Sequence, residues 1–216
     1  MSINKSYAVF GLGRYGSSVA KELVDSGVDV IAIDNDHKKV EDLVGDIPIC
    51  KCADVTDPNV IKQLGISNVD TVVIALAGEL EASIMATMLC KEAGVPQVVV
   101  KCSSDIHKEI LKKVGADIVV FPEKDSGKRL AKNILSSGFV DVADISDDIS
   151  IIELKARPEW IGKSLKELEL RRKHAINVIA VNKNGKTEIG LHPDEIIDSD
   201  MTLIVITNKK DINKIK

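Results

Sequence analysis

The chain has 216 residues, 44% of them hydrophobic and 29% charged, with a net charge of −4. That length fits one large domain, or a medium one followed by a small one. The acidic balance argues against a nucleic-acid binder, which would carry a basic face. Four cysteines, with no Cys-x-x-Cys pair and no histidine pair near them, exclude a disulfide frame and a zinc site.

The first strand is expected within a few residues of Met1, with no leader before it. The longest apolar run, 72–77, is too short to span a bilayer, so a soluble protein is expected. Six apolar runs, 7–10, 28–33, 47–52, 71–76, 97–101 and 118–121, are rich in valine, isoleucine and alanine without strict alternation. Strands covered on both faces read this way. Helices are expected between them. One covers 15–26, with Val19, Ala20, Leu23 and Val24 as its apolar stripe. Another covers 79–93, with Ile84, Met88 and Leu89, and a third covers 103–114, with Ile106, Ile110, Leu111 and Val114. Asp57-Pro58 and Ser103-Ser104-Asp105 are helix starts, and Gly27, Gly65, Gly94 and Gly115 are helix stops. Alternating strand and helix imply an α/β fold, a Rossmann-like, doubly wound parallel sheet with right-handed crossovers. Cys50, Cys52, Cys90 and Cys102 read as small buried thiols, the first two sharing one face of a strand.

A helix over 123–137 closes this part, and the pattern then changes. Residues 139–148 are acidic and poor in large core residues, which reads as a hinge. Beyond it are expected a strand at 150–155, a short helix at 161–170, a strand at 177–181, a hairpin at Asn184-Gly185, strands at 187–191 and 202–207, and a terminal helix at 209–216. The expected domains are therefore 1–138, a nucleotide-binding domain with its crossover helix, and 149–216, a small α+β domain.

The stretch YAVFGLGRYGSSVAKEL carries Gly11-x-Gly13-x-x-Gly16 between a strand and a helix. Gly11 permits a tight turn, Gly13 lets a ligand phosphate approach the backbone, and Gly16 lets helix and strand pack closely. Asp34, ending the second strand, can accept from ribose hydroxyls and would repel a 2′-phosphate, which disfavours NADP. Arg14 opposes the helix dipole at a cost of about 0.3–1 kcal/mol, so anionic charge such as a di- or triphosphate is expected beside it. The candidate nucleotide contacts are Gly11, Leu12, Gly13, Arg14, Tyr15, Gly16 and Asp34. Asn35, Asp54, Val55, Ala75, Leu76, Ala77, Lys101 and Glu123 join them at the C-terminal strand edge, with Gly78 and Glu79 nearby. Lys101 also reads as a strand-end lysine reaching for water. Glu123 would repel phosphates unless a cation bridges them.

No Walker loop, His-Glu-x-x-His or Gly-x-Ser-x-Gly is present, and His37, His107, His174 and His192 are scattered. A dehydrogenase needs a substrate domain with a placed acid or base, and the small second domain offers none. The chain therefore reads as a non-enzyme, with a small NAD-dependent oxidoreductase as the alternative. A redox-sensing repressor would need a basic DNA-binding module, and none is visible. In the second domain, Arg171-Arg172-Lys173-His174 precedes the apolar strand Ile176-Asn177-Val178-Ile179. It is either a solvated helix end or an anionic site, with Arg171 and Asn177 as polar contacts and Ile161, Ile176 and Pro193 as apolar walls.

Four segments together, YAVFGLGRYGSSVAKEL, AIDND, GADIVVFPEKDSGKRLA and LRRKHAINVIAV, resemble the RCK family (regulators of conductance of potassium). Within it the chain is similar to the cytosolic gating subunits of bacterial Ktr-type potassium uptake systems, a TrkA-N domain followed by a TrkA-C domain. The resemblance implies ATP, ADP or NAD(H) as regulatory ligands, with ATP favouring the conducting form and ADP the resting form. It implies a homodimer assembling into an octameric ring under a membrane-embedded potassium-translocating subunit, on the cytoplasmic face of the membrane. It assigns Arg14 to the terminal phosphates, Asp34 to ribose, and Glu123 to a divalent cation (Mg or Ca) beside ATP. It also implies cyclic di-AMP in the C-terminal domain, at Ile161, Arg171, His174, Ile176, Asn177 and Pro193. His174-Ala175 stands where many relatives read Tyr-Gly.

Overall fold

The structure, a computed structural model, describes residues 5–76, 78–135, 139–146 and 148–215. The chain divides into two units, Met1–Pro122 and Glu123–Lys216. In the first, the strands are β1 (Ser6–Phe10), β2 (Asp29–Asp34), β3 (Ile49–Cys52), β4 (Thr71–Ile74), β5 (Gln97–Lys101) and β6 (Ile118–Val120). All pair in parallel, in the order β3-β2-β1-β4-β5-β6. The order reverses between β1 and β4, which is where a doubly wound sheet opens a crevice for a ligand.

Side chains alternate across the sheet, and both faces are covered. Val9, Val30, Ala32 and Val73 turn to one face, with Ala20 of α1 (Arg14–Asp25) and Val40 of α2 (His37–Glu41). Ala8, Phe10, Val72, Ile74, Val98 and Val100 turn to the other. There they meet Ile61 of α3 (Pro58–Gln63), Ala86 and Cys90 of α4 (Leu80–Glu92) and Leu111 of α5 (Asp105–Lys113). Burial on both faces is why these strands read as continuous apolar runs. The capping signals act as expected: the Asp57 carboxylate accepts from the Asn59 N–H, and the Ser104 hydroxyl from the His107 N–H.

Three expectations need correction. The short helix α2 had no counterpart among the expected elements; only Asp36, whose side chain accepts from the Lys38 N–H, marks its start. Met88 and Ile106, assigned to apolar stripes, are 44% and 76% exposed. Cys50 is half-buried and Cys52 exposed, because β3 is an edge strand; Cys90 and Cys102 are buried as expected. Burial pushes the Cys90 thiol up to about 12.

The second unit takes in α6 (Pro122–Leu135) past its first residue. It also holds β7 (Phe139–Asp144), β8 (Ile149–Lys155), α7 (Leu165–Leu168), α8 (Leu170–His174), β9 (Ile176–Lys183), β10 (Lys186–Ile189) and β11 (Met201–Asn208). Its strands form an antiparallel sheet in the order β10-β9-β11-β8-β7. The stretch read as a hinge thus contains a strand, β7, paired with β8. The single helix expected over 161–170 is two. A capping box between Ser164 and Glu167 starts α7, and Glu169 at φ 46 breaks the chain before α8. Asn184 and Gly185, at φ 53 and 77, make the two-residue turn from β9 to β10. Met201, Leu203 and Val205 alternate into a core shared with Ile152, Leu154, Trp160, Leu170 and Ile176. Residues Lys209–Ile215 form a 3-10 helix, within the stretch expected to be a terminal helix.

Candidate functional site

The three motif glycines differ in what requires them. Gly11 has φ 88, and a Cβ there would lie 2.8 Å from Leu76 Cδ2 and 3.1 Å from the Ala75 carbonyl. A Cβ at Gly16 would lie 1.8 Å from the Gly11 carbonyl oxygen. The chain itself demands glycine at both positions. Gly13 is different: its φ is −68, its ψ is −176, and a Cβ there meets nothing within 4 Å. It precedes α1 with no side-chain cap, which leaves first-turn amides without partners from a capping side chain. Arg14 is exposed, and its side chain has no hydrogen bond or ion pair among the described residues. Lys101, at the end of β5, sets Nζ 5.5 Å from the centre of the Tyr15 ring. That cation–π contact brings a second cation to the first turn of α1.

The Asp34 carboxylate is buried at the end of β2. The Leu12 N–H donates to Oδ2 at 2.6 Å and the Asp36 N–H to Oδ1 at 2.9 Å. Lys39 Nζ lies 3.3 Å from each oxygen. After β3, the Thr56 N–H and hydroxyl donate to Asp54 Oδ1 at 2.9 and 2.7 Å. Those bonds, the hydroxyl first, hold the Asp54 carboxyl below its usual range.

A cleft of about 430 Å³ opens at this edge. It gathers Gly11, Asp34, Asn35, Asp54, Val55 and Leu76 from the expected set, together with Glu79. Leu12, Gly13, Arg14, Tyr15, Gly16, Ala75 and Lys101 lie off its lining, with Ala75 packed behind Gly11 and Gly16. Gly78 is exposed after β4, and Ala77 lies outside the described residues. Glu123 sits in the first turn of α6, within the second unit. Sequence reasoning missed Lys39, Thr56, Leu80, Glu81 and Met85. Asp54-x-Thr56 is a legible turn signature. The others needed the position of α2 or the starting residue of α4.

In the second unit, a cleft of about 320 Å³ brings Arg171, Ile176 and Asn177 together with Lys166 and Glu169. Ile161, His174 and Pro193 are not on its lining. The His174 ring lies 6.1 Å from Trp160, and the Pro193 carbonyl accepts from the Lys166 N–H at 2.8 Å. Of the basic run, Arg172 and Lys173 pair with Glu169 at 2.5 and 3.5 Å. Arg171 has no side-chain partner among the described residues. Among the described residues no group of three or more His, Cys, Asp or Glu could hold a metal, and no helix is long and apolar enough to cross a membrane.

Family models match both units: the TrkA-N domain over residues 7–122 and the TrkA-C domain over 149–216. The chain is 37% identical over 212 residues to Ktr system potassium uptake protein C of Bacillus subtilis, covering 98% of this chain and 96% of that one. It is 34% identical over 211 residues to Ktr system potassium uptake protein A of the same organism, covering 98% and 95%. Among solved structures it is similar to the GsuK channel bound to NAD, at 19% identity and a TM-score of 0.54 over 98% of this chain and 38% of that one. GsuK bound to ADP gives 20% identity and a TM-score of 0.51, over 62% and 35%. The chain spans less than half the length of those channels, and the likeness to them is one of fold. The chain belongs to the RCK family, in the TrkA-N and TrkA-C arrangement it shares with the Ktr potassium uptake proteins.

Proposed function

We propose that the chain is a non-enzymatic regulatory subunit that binds adenine nucleotide in its N-terminal domain and gates potassium transport through a membrane partner. The observation that carries the nucleotide is residue 13. Glycine stands there although nothing in the chain excludes a side chain, and it stands beside first-turn amides and a cation lacking a partner among the described residues. A phosphate against the start of α1 accounts for all three. Phosphates lie along 11–16 with Arg14 and Lys101, ribose lies at Asp34, and the base lies toward Asn35, Asp54, Val55 and Leu76, with Ala75 on the β4 side. Arg14 favours a free terminal phosphate, hence ATP or ADP, with NAD(H) as the other ligand of the same site; a solved fold neighbour is bound to each of ADP and NAD.

ATP and ADP act by binding two ring conformations with different affinity, since only that difference can shift gating. Homodimers assemble into an octameric ring at the cytoplasmic face of the membrane. Glu123 would hold a divalent cation beside ATP, and that cation would offset the charge of the phosphates. Cyclic di-AMP binds the C-terminal domain through Arg171 and Asn177, against Ile176, with Ile161, His174 and Pro193 completing the site.

The test is a thermal-shift panel of ATP, ADP, NADH and cyclic di-AMP, with and without Mg²⁺. A ligand at a hundred times its Kd stabilises the native state by about 2.7 kcal/mol, roughly 5–11 °C for a chain of this length. No shift with ATP, ADP or NADH overturns the nucleotide reading.

A further inference from the structure

The carboxylate expected to hold ribose is already fully occupied. An ionised carboxylate offers about four lone-pair positions. At Asp34 two take the Leu12 and Asp36 N–H groups, and Lys39 Nζ spans the other two, 3.3 Å from both oxygens. A donor equidistant from both oxygens stands where the vicinal 2′- and 3′-hydroxyls of a ribose would have to donate.

We propose that Lys39 is the internal competitor of the ribose diol at Asp34, and so sets both the affinity of the site and its selectivity for ribose. The inference rests on the nucleotide reading above. The Leu12 and Asp36 amides are held by the glycine turn and the start of α2, so they stay. Lys39 is a flexible side chain, 44% exposed, on the surface of α2. When the diol arrives, Lys39 is the donor that leaves. Asp36 Oδ2 stands 4.0 Å from Nζ, at the N-terminus of the same helix. The displaced ammonium therefore swings to a second carboxylate and keeps a counter-charge. His37 and Glu41, also on α2, are paired with each other at 3.4 Å and do not compete for it. A ligand without the diol leaves Lys39 where it is.

The experiment measures ADP and 2′,3′-dideoxy-ADP affinities of the full chain by calorimetric titration for wild type, Lys39→Met and Lys39→Arg. Lys39→Met should tighten ADP by about threefold to fivefold, the scale of one partly exposed ion pair, and leave dideoxy-ADP unchanged. Lys39→Arg retains the cation, and its fork can meet both oxygens, so it should not tighten ADP. Position 39 is exposed on a helix, so loss of the ion pair should lower the melting temperature by no more than about 4 °C, and a single cooperative transition confirms each fold. Weaker or unchanged ADP binding by Lys39→Met overturns the proposal, and so does an equal gain for the dideoxy ligand. If wild type binds no nucleotide, Lys39→Met separates the failures: binding gained there upholds the competitor, and no binding in either chain overturns the nucleotide reading and this proposal with it.

Discussion

Gly13→Ala should leave the fold intact and damage nucleotide binding. The added methyl meets nothing within 4 Å, and φ −68 with ψ −176 is open to any residue. Replacing glycine by alanine at a compatible position stabilises by about 0.4–1 kcal/mol through the unfolded chain. Loss of glycine ahead of a helix costs an amount of about that size. The two offset, so the melting temperature should move by no more than about 2 °C. The ligand has no such slack. A phosphate oxygen must come within roughly 2.7–3.2 Å of a first-turn amide to bond it, and a methyl on residue 13 holds it off. Each bond to a charged group so lost removes about 1.5–3 kcal/mol, so affinity for ADP and NADH should fall by at least about tenfold. Titration calorimetry beside a melting curve reads both quantities. Gly16→Ala is the control, since its Cβ would overlap the Gly11 carbonyl at 1.8 Å. It should cost about 3 kcal/mol, or roughly 6–12 °C. Unchanged affinity in a well-folded Gly13→Ala chain would refute the argument that a ligand is what keeps residue 13 bare.

Arg14→Ala should weaken ATP much more than ADP, and it relieves an unfavourable helix-dipole interaction of about 0.3–1 kcal/mol; equal losses in competitive titrations would remove the terminal-phosphate role. Glu123→Gln should abolish the enhancement of ATP binding by Mg²⁺, read from titrations with the metal and with a chelator. Ala175, at φ 56, holds a left-handed conformation that costs a non-glycine residue about 1–2 kcal/mol. Ala175→Gly should therefore raise the urea midpoint of the C-terminal unit's transition, and a lower midpoint would contradict the strain. The buried His107 ring, with Nε2 2.8 Å from the Ser83 hydroxyl, has its pKa lowered by burial. The unfolded chain then binds the proton first, so His107 contributes stability that is present above about pH 6.5 and lost as pH falls through its folded pKa. Urea midpoints of wild type should drop more between pH 7 and 5 than those of His107→Gln, and parallel curves would count against the assignment.

Much of the first unit was legible because its signals are local. A buried parallel strand shows as an apolar run, a helix start as Asp57 or Ser104, and the phosphate turn as a glycine spacing that a strand and a helix must flank. The second unit was less legible where one residue's backbone outweighs its neighbours. Glu169 in the left-handed region splits a helix that periodicity drew as one. Strand β7, acidic and poor in large side chains, is a strand because β8 pairs with it.

The same division runs through the candidate site. Sequence alone determined that Gly11 and Gly16 close a strand-to-helix turn, that Arg14 stands in a first turn where a cation is unwelcome, and that an acid ends β2. Those are relations between near neighbours along the chain. Only the tertiary structure decided that Gly13 is free of any internal steric demand, that Lys101 reaches Tyr15, and that Lys39 already fills the carboxylate of Asp34. Each of these depends on the distance between groups brought together by folding, and spacing along the chain does not set that distance until the sheet and α2 are in place.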